Sequence, residues 1–363
     1  MTSFTKNKVV VAMSGGVDSS VAALLLKQQG MEVIGVSMKT HETTEEELQR
    51  GKTCCTSVDI MDARRVCQHL DIPFYAMDYV EEFEREVIQY FSNDYIQGRT
   101  PNPCVACNSK LKFASLLKKT QDLGAYYLAT GHYAEKTRDK RGKFHVMKSQ
   151  DLEKDQTYFL FGLGQRELEH ILFPLAGYQK EQVRELARKA GLKTADKAES
   201  QEICFVPNND YAAFLEKKFP DLAYKTGKFI TDTGEVIADH EGIHAYTVGQ
   251  RRGLGVALGE RTYVTEIRPQ TQEIVLGTKE DLLKKGLWAK DLKWVNPENV
   301  TSASRVTVKL RHRHQGVGAM LDIKPQGVKV DFLEPAGAVT PGQAAVFYDG
   351  NEMLGGGFIE SSF

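Results

Sequence analysis

The sequence predicts an α/β protein: a doubly wound parallel sheet in the N-terminal part, then a small β-rich central module and a C-terminal antiparallel β-barrel. Three observations carry this. An apolar strand-like run, Val9 to Met13, empties into SGGVDSS at Ser14 to Ser20 and then into a helix-like run, Val21 to Leu26. Short apolar strands then alternate with amphipathic helices as far as Gly131. Beyond Pro207 the texture changes to glycine and β-branched residues, broken by PQG, PAG and DGNE turns.

In order along the chain, Glu32 to Met38 reads as a strand, Val58 to Leu70 as a helix and Pro73 to Asp78 as a strand. Val80 to Tyr95 and Lys110 to Leu123 read as helices, and Tyr126 to Gly131 as a strand. Such alternation builds right-handed βαβ units, and ligands of these sheets collect beyond the carboxyl ends of the strands. Met13, Met38 and Gly131 therefore surround one crevice, where an adenine is expected, with Met38 as an apolar lid and Gly131 as a close backbone approach. Plain core packing accounts equally for either residue alone. Lys180 to Gly191 is one helix closed by its glycine. The run from Gly227 to Glu260 suggests a β-rich module to about Gly277, and Arg305 to Arg311, Gly327 to Phe332 and Ala344 to Tyr348 are barrel strands. The expected domains are residues 1–207, 208–280 and 281–363. The acidic run Glu42 to Glu47 reads as a solvated loop.

SGGVDSS has the chemistry of an anion cradle. At Gly15 and Gly16 no Cβ keeps the backbone amides from an anion, and Ser19 and Ser20 add hydroxyls at the positive end of a helix. Asp18 is out of place there, because a carboxylate repels polyphosphate. It reads as an indirect Mg²⁺ partner or as an N-cap. The lysine of the GxxxxGK[ST] loop is missing, and the GKT at Gly51 to Thr53 has Glu46 where its first glycine belongs. A kinase or GTPase loop is excluded.

At 363 residues, with 41% hydrophobic and 26% charged residues, the composition is that of a soluble globular protein. No apolar run is long enough for a membrane helix, and MTSFTKNK leads into a strand without a signal-peptide core, so a cytoplasmic protein with no membrane partner is expected. A net charge of −1 argues against nucleic-acid binding by bulk electrostatics and leaves room for a local basic groove. Six cysteines in a chain this long do not make a disulfide framework.

Two segments make cysteine chemistry specific. In GRTPNPCVACNSKLKF, Gly98 to Phe113, two prolines rigidify a loop that delivers Cys104 and Cys107 to the start of a helix. Helix amides together with Lys110 and Lys112 predict a thiol pKa lowered toward neutrality. CxxC alone fits half a zinc site, a redox pair or a reactive thiol; no second close CxxC completes a Cys₄ site, and Cys54 and Cys55 are adjacent. Cys204, in SQEICFVPNNDY with Gln201, Glu202 and Phe205 around it, reads by itself as a core residue.

SGGVDSS resembles the PP-loop of the ATP pyrophosphatase superfamily, whose members cut ATP between the α and β phosphates and activate an oxygen as its adenylate. Together with TPNPCVACN, ATGHYA (Ala129 to Ala134), KDQTYFL (Lys154 to Leu160), QEICFV (Gln201 to Val206) and HAYTVGQRRGLG (His244 to Gly255), it is similar to the tRNA-specific 2-thiouridylase family. That family replaces the C2 oxygen of the wobble uridine with sulfur. The resemblance implies a PP-loop ATPase domain using ATP and Mg²⁺, with Ala12, Met13, Ser14, Gly15, Gly16, Val17, Asp18, Ser19, Met38 and Gly131 around the nucleotide. It implies that Cys204 receives a persulfide sulfur from a donor protein, and that Cys107 either attacks that persulfide, ending in a Cys107–Cys204 disulfide, or assists proton transfer. Asn102, Pro103 and Cys104 would contact the target base, and His132, Lys154, Asp155, Gln156, Arg311, His312 and Gln343 the tRNA. Arg251 and Arg252, and the RHRHQ segment at Arg311 to Gln315, suit RNA phosphates.

One departure bears on this. Many members carry Asp where this chain has Cys104, which removes a carboxylate base and allows Cys104, Cys107 and Cys204 to be read as ligands of a [4Fe–4S] cluster. Two other readings remain: a PP-loop synthetase adenylating a small metabolite, which needs neither reactive cysteines nor a β-rich platform, and a non-catalytic tRNA-binding protein.

Overall fold

A computed structural model describes residues 5–41, 57–199, 203–256, 259, 261–337 and 339–363. The acidic run Glu42 to Glu47, the GKT at Gly51 to Thr53, Cys54, Cys55, Gln201 and Glu202 lie outside them.

The first strand, β1 (Thr5–Ala12), leads to α1 (Val17–Gln28), β2 (Glu32–Lys39), α2 (Ser57–His69) and β3 (Phe74–Asp78). A helical stretch, α3 (residues 80–96), follows, and after it α4 (residues 103–122) and β4 (Ala125–Ala129). Further on lie α5 (Gln165–His170), the two-residue β7 (Ile171–Leu172) and α6 (Lys180–Lys189). These strands form a parallel sheet in the order β3-β2-β1-β4-β7. Val9, Val10 and Val11 are fully buried, which is why β1 reads as an unbroken apolar run: helices cover both sheet faces. Val10 enters the cluster with Phe83, Phe91 and Leu128, whereas Val9 and Val11 face the cluster with Val21, Leu25 and Ala63, as the two-residue strand period requires. The direction of winding reverses between β1 and β4, so their carboxyl ends open the crevice expected of a doubly wound sheet.

One expected boundary moves. The helix foreseen from Lys110 starts at Pro103, because proline suits the first helical turn and the Asn102 side chain caps it by accepting from the Val105 amide at 3.3 Å. Both α3 and α4 widen into π-helical turns, over Glu84–Ile88 and Cys107–Leu116.

After α7 (Tyr211–Lys218), the central module holds β8 (Gly227–Ile230), β9 (Val236–His240), β10 (Tyr263–Arg268) and β11 (Glu273–Gly277), in the order β10-β11-β8-β9. Phe229, Ile243, Val264 and Ile274 fill it. The last part comprises β12 (Lys284–Trp294), β13 (Arg305–Lys309), β14 (Val317–Lys324), β15 (Gly327–Ala336), β16 (Ala344–Asp349) and β17 (Glu352–Ser362). Their order is β12-β15-β14-β13-β16-β17, and β17 pairs back with β12, closing an antiparallel barrel around Leu287, Val308, Val330 and Phe347. The fold class read from the sequence is thus the fold observed.

A hairpin that the sequence reading did not foresee joins the two ends of the chain. Strands β5 (Glu135–Arg138) and β6 (Phe144–Met147) leave the first part, and β6 pairs with β17 through Met147 opposite Glu352 and Val146 opposite Met353. Among the described residues no helix is long and apolar enough to cross a membrane.

Candidate active site

The SGGVDSS loop lies at the sheet's switch point. Gly15 has φ +72°, and a Cβ there would stand 2.2 Å from the Asp59 carbonyl oxygen, so glycine is required twice over. Gly16 is the N-cap of α1. Ser14 is exposed at the lip of the loop. The Ser14 amide donates to Ser19 Oγ at 3.2 Å, and Ser20 Oγ donates to the Gly16 carbonyl at 2.7 Å. Met13 is tied into the sheet by its amide on Val36 O (2.8 Å) and by Ser37 Oγ on its carbonyl (2.6 Å). Ala12 and Val17 flank the loop, and Val17 is buried. Gly131 closes the crevice from β4: a Cβ there would lie 2.7 Å from the Ser19 amide nitrogen and 2.8 Å from the Asp18 carbonyl carbon. Its close approach is to the loop backbone. Met38 is 7% exposed and packs in the cluster of Tyr79, Phe83 and Ile34, so it belongs to the core beneath the crevice.

Asp18 is not an N-cap. It sits one residue into α1, and its carboxylate receives Lys180 Nζ on both oxygens (2.7 and 2.8 Å) and the Tyr133 hydroxyl on Oδ1 (2.8 Å). Lys180 also pairs with Glu199 Oε1 at 3.0 Å, and Lys154 Nζ donates to Glu199 Oε2 at 2.8 Å. Burial pushes the Glu199 carboxyl up, and the hydrogen bonds from Lys154 and Lys180 outweigh it, leaving the group below the usual carboxylate range. A second cation, Lys197, donates to the Gly15 carbonyl (3.1 Å), Asp59 Oδ1 (2.7 Å) and Asp62 Oδ2 (2.7 Å). Two lysines from outside the motif thus flank a loop that has none of its own.

The cysteine segment departs from expectation at its thiol. Cys104 stands exposed in the first turn of α4, whereas Cys107 lies a turn further in and is partly exposed. Burial pushes the Cys107 thiol up, and the nearby Lys112 ammonium only partly offsets it. The expected lowering toward neutrality is therefore corrected: desolvation dominates at Cys107's depth in the helix. Lys110 points to solvent and is exposed. Lys112 is held by Asn108 Oδ1 at 2.9 Å, and Asn108 Nδ2 donates to the Phe159 carbonyl at 3.1 Å. The His132 ring lies between Phe113 and Phe173, bonded to Thr130 Oγ1 at 2.8 Å; burial, then Lys112, holds it well below its ordinary pKa, hence neutral. Cys107 and Cys204 both pack against the apolar cluster that contains Val10, Met38 and Phe205. Among the described residues no three His, Cys, Asp or Glu side chains converge as a metal site.

Residues 7–208 match the family described as the tRNA methyl transferase HUP domain, residues 212–278 the tRNA methyl transferase PRC-barrel domain, and residues 284–359 the aminomethyltransferase beta-barrel domain. The tRNA-specific 2-thiouridylase MnmA of Geobacter metallireducens is 47% identical over 366 residues, covering 100% of this chain and 99% of the relative. The proteins of the same name from Carboxydothermus hydrogenoformans and Clostridium perfringens are 48% and 45% identical, each over 98% of this chain and 98% and 99% of the relative. The chain belongs to the tRNA-specific 2-thiouridylase family. Its first part carries the PP-loop fold of that ATP-using family.

Against this thiouridylase frame, the remaining candidate residues divide by exposure. Arg311 is exposed on the barrel. His312 is half-buried, with Nε2 bonded to the Asp155 carbonyl at 3.0 Å and its ring 4.6 Å from that of Phe159. Asp155 is buried on Thr157 Oγ1 (2.8 Å), and burial raises its pKa. Gln156 accepts from the Tyr133 amide at 3.1 Å. Asn102 and Pro103 are buried, Asn102 as the cap of α4. Gln343 reaches from the barrel to donate to the carbonyls of Thr100 (3.1 Å) and Pro101 (3.0 Å). Asn102 and Gln343 thus brace the TPNP loop, while His312 and Gln156 tie the segment around Asp155 to the barrel and to Tyr133. Sequence reasoning missed Lys180, Lys197, Tyr133 and Glu199. One signal was available for Lys180: a cation in the first turn of a helix opposes the helix dipole and asks for a nearby carboxylate.

Proposed function

We propose that this chain is a cytoplasmic enzyme that 2-thiolates the wobble uridine of tRNA, consuming ATP and taking its sulfur from a persulfide-donor protein. The family of full-length relatives supports the activity, and the spans of the matched families support the division into residues 1–207, 208–280 and 281–363. The observation that carries the mechanism is that Cys107 and Cys204, distant in sequence, border one apolar cluster that also holds the strand beneath the glycine loop.

In this reading Ser14 to Ser19 hold the phosphates of ATP, because glycines at 15 and 131 remove the Cβ atoms that would crowd the loop, and Lys180 and Lys197 offset the carboxylates of Asp18, Asp59 and Asp62 beside it. Both Asp18 oxygens are already engaged by Lys180, so Asp18 would serve Mg²⁺ only indirectly, and the ion would supply charge neutralisation of the phosphates. The uridine C2 oxygen attacks the α phosphate and pyrophosphate leaves. The terminal sulfur of a Cys204 persulfide then attacks C2 and AMP leaves. The Cys107 thiolate attacks Cys204 Sγ, which frees the thione and leaves a Cys107–Cys204 disulfide for an external thiol to reduce. Cys104, exposed one turn before Cys107, takes the base-facing place, and Arg311 contacts tRNA phosphate. A cluster held by Cys104, Cys107 and Cys204 has no support in the geometry of the described residues.

Pyrophosphate release and tRNA thiolation, measured with and without tRNA, test this. Cys107→Ser and Cys204→Ser are expected to abolish thiolation while tRNA-dependent pyrophosphate release persists. Full thiolation by either variant overturns the assignment, and ATP consumption that ignores tRNA supports a metabolite-adenylating synthetase instead.

A further inference from the structure

We propose that Lys180 is a positioning residue: the resident counter-cation of Asp18, whose ammonium allows a loop that carries a carboxylate to accept pyrophosphate. The inference rests on the reading of Ser14 to Ser19 as the phosphate site and explains how that site tolerates its own acidic residue.

Three observations place Lys180 in this role. Its side chain is only 6% exposed, although it carries the charge of a surface residue. Its backbone is fixed, since it opens α6 and its amide donates to Asp151 Oδ2 at 2.9 Å. Its ammonium has three oxygen partners, both oxygens of Asp18 and Oε1 of Glu199, and Asp18 Oδ1 also takes the Tyr133 hydroxyl. Glu199 has two further cations, Lys154 at 2.8 Å and Arg184 at 4.0 Å, whereas Lys180 is the cation on Asp18 among the described residues. Because Glu199 is shared, the same lysine ties the loop to the start of the segment that carries Cys204.

The test is binding of inorganic pyrophosphate to the full chain in EDTA, which removes any metal from the comparison. Lys180→Met is expected to weaken binding by about tenfold or more, because an uncompensated carboxylate then faces the anion. Asp18→Asn, with Lys180 retained, is expected to tighten it by several-fold. The double variant is expected to return to within about threefold of wild type, a non-additive recovery that marks direct coupling. A purely structural salt bridge predicts the opposite for the last two: Asp18→Asn no better than wild type, and the double variant as weak as Lys180→Met. Either result overturns the proposal. Should Lys180→Met not fold, the near-isosteric Asp18→Asn decides alone by the sign of its effect. Wild-type protein that fails to bind pyrophosphate overturns the phosphate-site reading and this inference with it, whereas wild-type binding with the wrong order of variants overturns only the inference.

Discussion

Gln343 separates a brace from an RNA contact. Its Nε2 donates to two successive carbonyls of the TPNP loop, Thr100 and Pro101, while the Thr100 amide donates to the Pro341 carbonyl at 2.8 Å. Gly342 lets the two backbones meet: its φ is +90°, and a Cβ would come within 2.9 Å of Thr100 N. Replacing Gln343 with Ala removes two hydrogen bonds worth about 1 kcal/mol each, so the loop's seating weakens by about 2 kcal/mol, roughly 30-fold in its local equilibrium. The loop carries Cys104 and caps the helix of Cys107, so the effect should fall on the chemical step. Single-turnover thiolation at saturating tRNA is expected to slow by about 10- to 30-fold, with tRNA affinity nearly unchanged. Gln343→Glu should be slower still, since a carboxylate would face two carbonyl oxygens. A weakened tRNA Kd with an unchanged saturated rate, or a Glu variant faster than Ala, would refute the brace.

Gly131→Ala should lower ATP affinity by about 5- to 150-fold, the equivalent of about 1–3 kcal/mol of overpacking against the backbone of Asp18 and Ser19, with tRNA binding intact; calorimetry with a non-hydrolysable analogue checks this. Burial holds the Cys107 thiol above its ordinary range, so it is protonated at neutral pH and its thiolate fraction grows about tenfold per pH unit until the raised pKa is reached. Single-turnover sulfur transfer should therefore rise with pH through the neutral and mildly alkaline range while pyrophosphate release does not; a rate that falls with pH would assign Cys107 to proton donation instead. Arg311→Ala should weaken tRNA binding about equally for all sequences and reduce the salt slope by about one, as measured by filter binding at several salt concentrations.

What was legible in the sequence is what depends on short range. Val9 to Val11 announce a strand buried on both faces, and SGGVDSS announces its turn, because both patterns are local requirements of backbone and solvent. What was hidden depends on distant partners. The four-residue strands β5 and β6 carry a mixed composition that makes sense only once β17 lies beside them. Asn102 reads from the sequence as a base contact, and its capping role shows only once the helix is seen to begin at Pro103. Cys107 was misjudged because position along a helix is visible in sequence, whereas desolvation by the surrounding cluster is not.

The TPNP loop gives the β-rich parts a role beyond carrying RNA-binding charge. Thr100 bonds to the barrel through Pro341 and Gln343 and meets the central module at Thr247, Oγ1 to Oγ1 at 3.4 Å. Just before the loop, Tyr95 stacks on Tyr211 at 4.4 Å, and the Tyr211 hydroxyl donates to the Ala245 carbonyl at 3.0 Å. Three parts of the chain thus converge on the few residues that place Cys104 and Cys107. The β5–β6 hairpin fastens the first part to the barrel a second time by strand pairing. A barrel that served only as a tRNA platform could be tethered by a loop and left to move. Here its removal would strip the loop's carbonyls of their donors and leave β6 without its partner strand. The arrangement therefore builds the position of the reactive thiols out of contacts between domains, and a tRNA that presses on the central module or the barrel pushes on the loop that holds them.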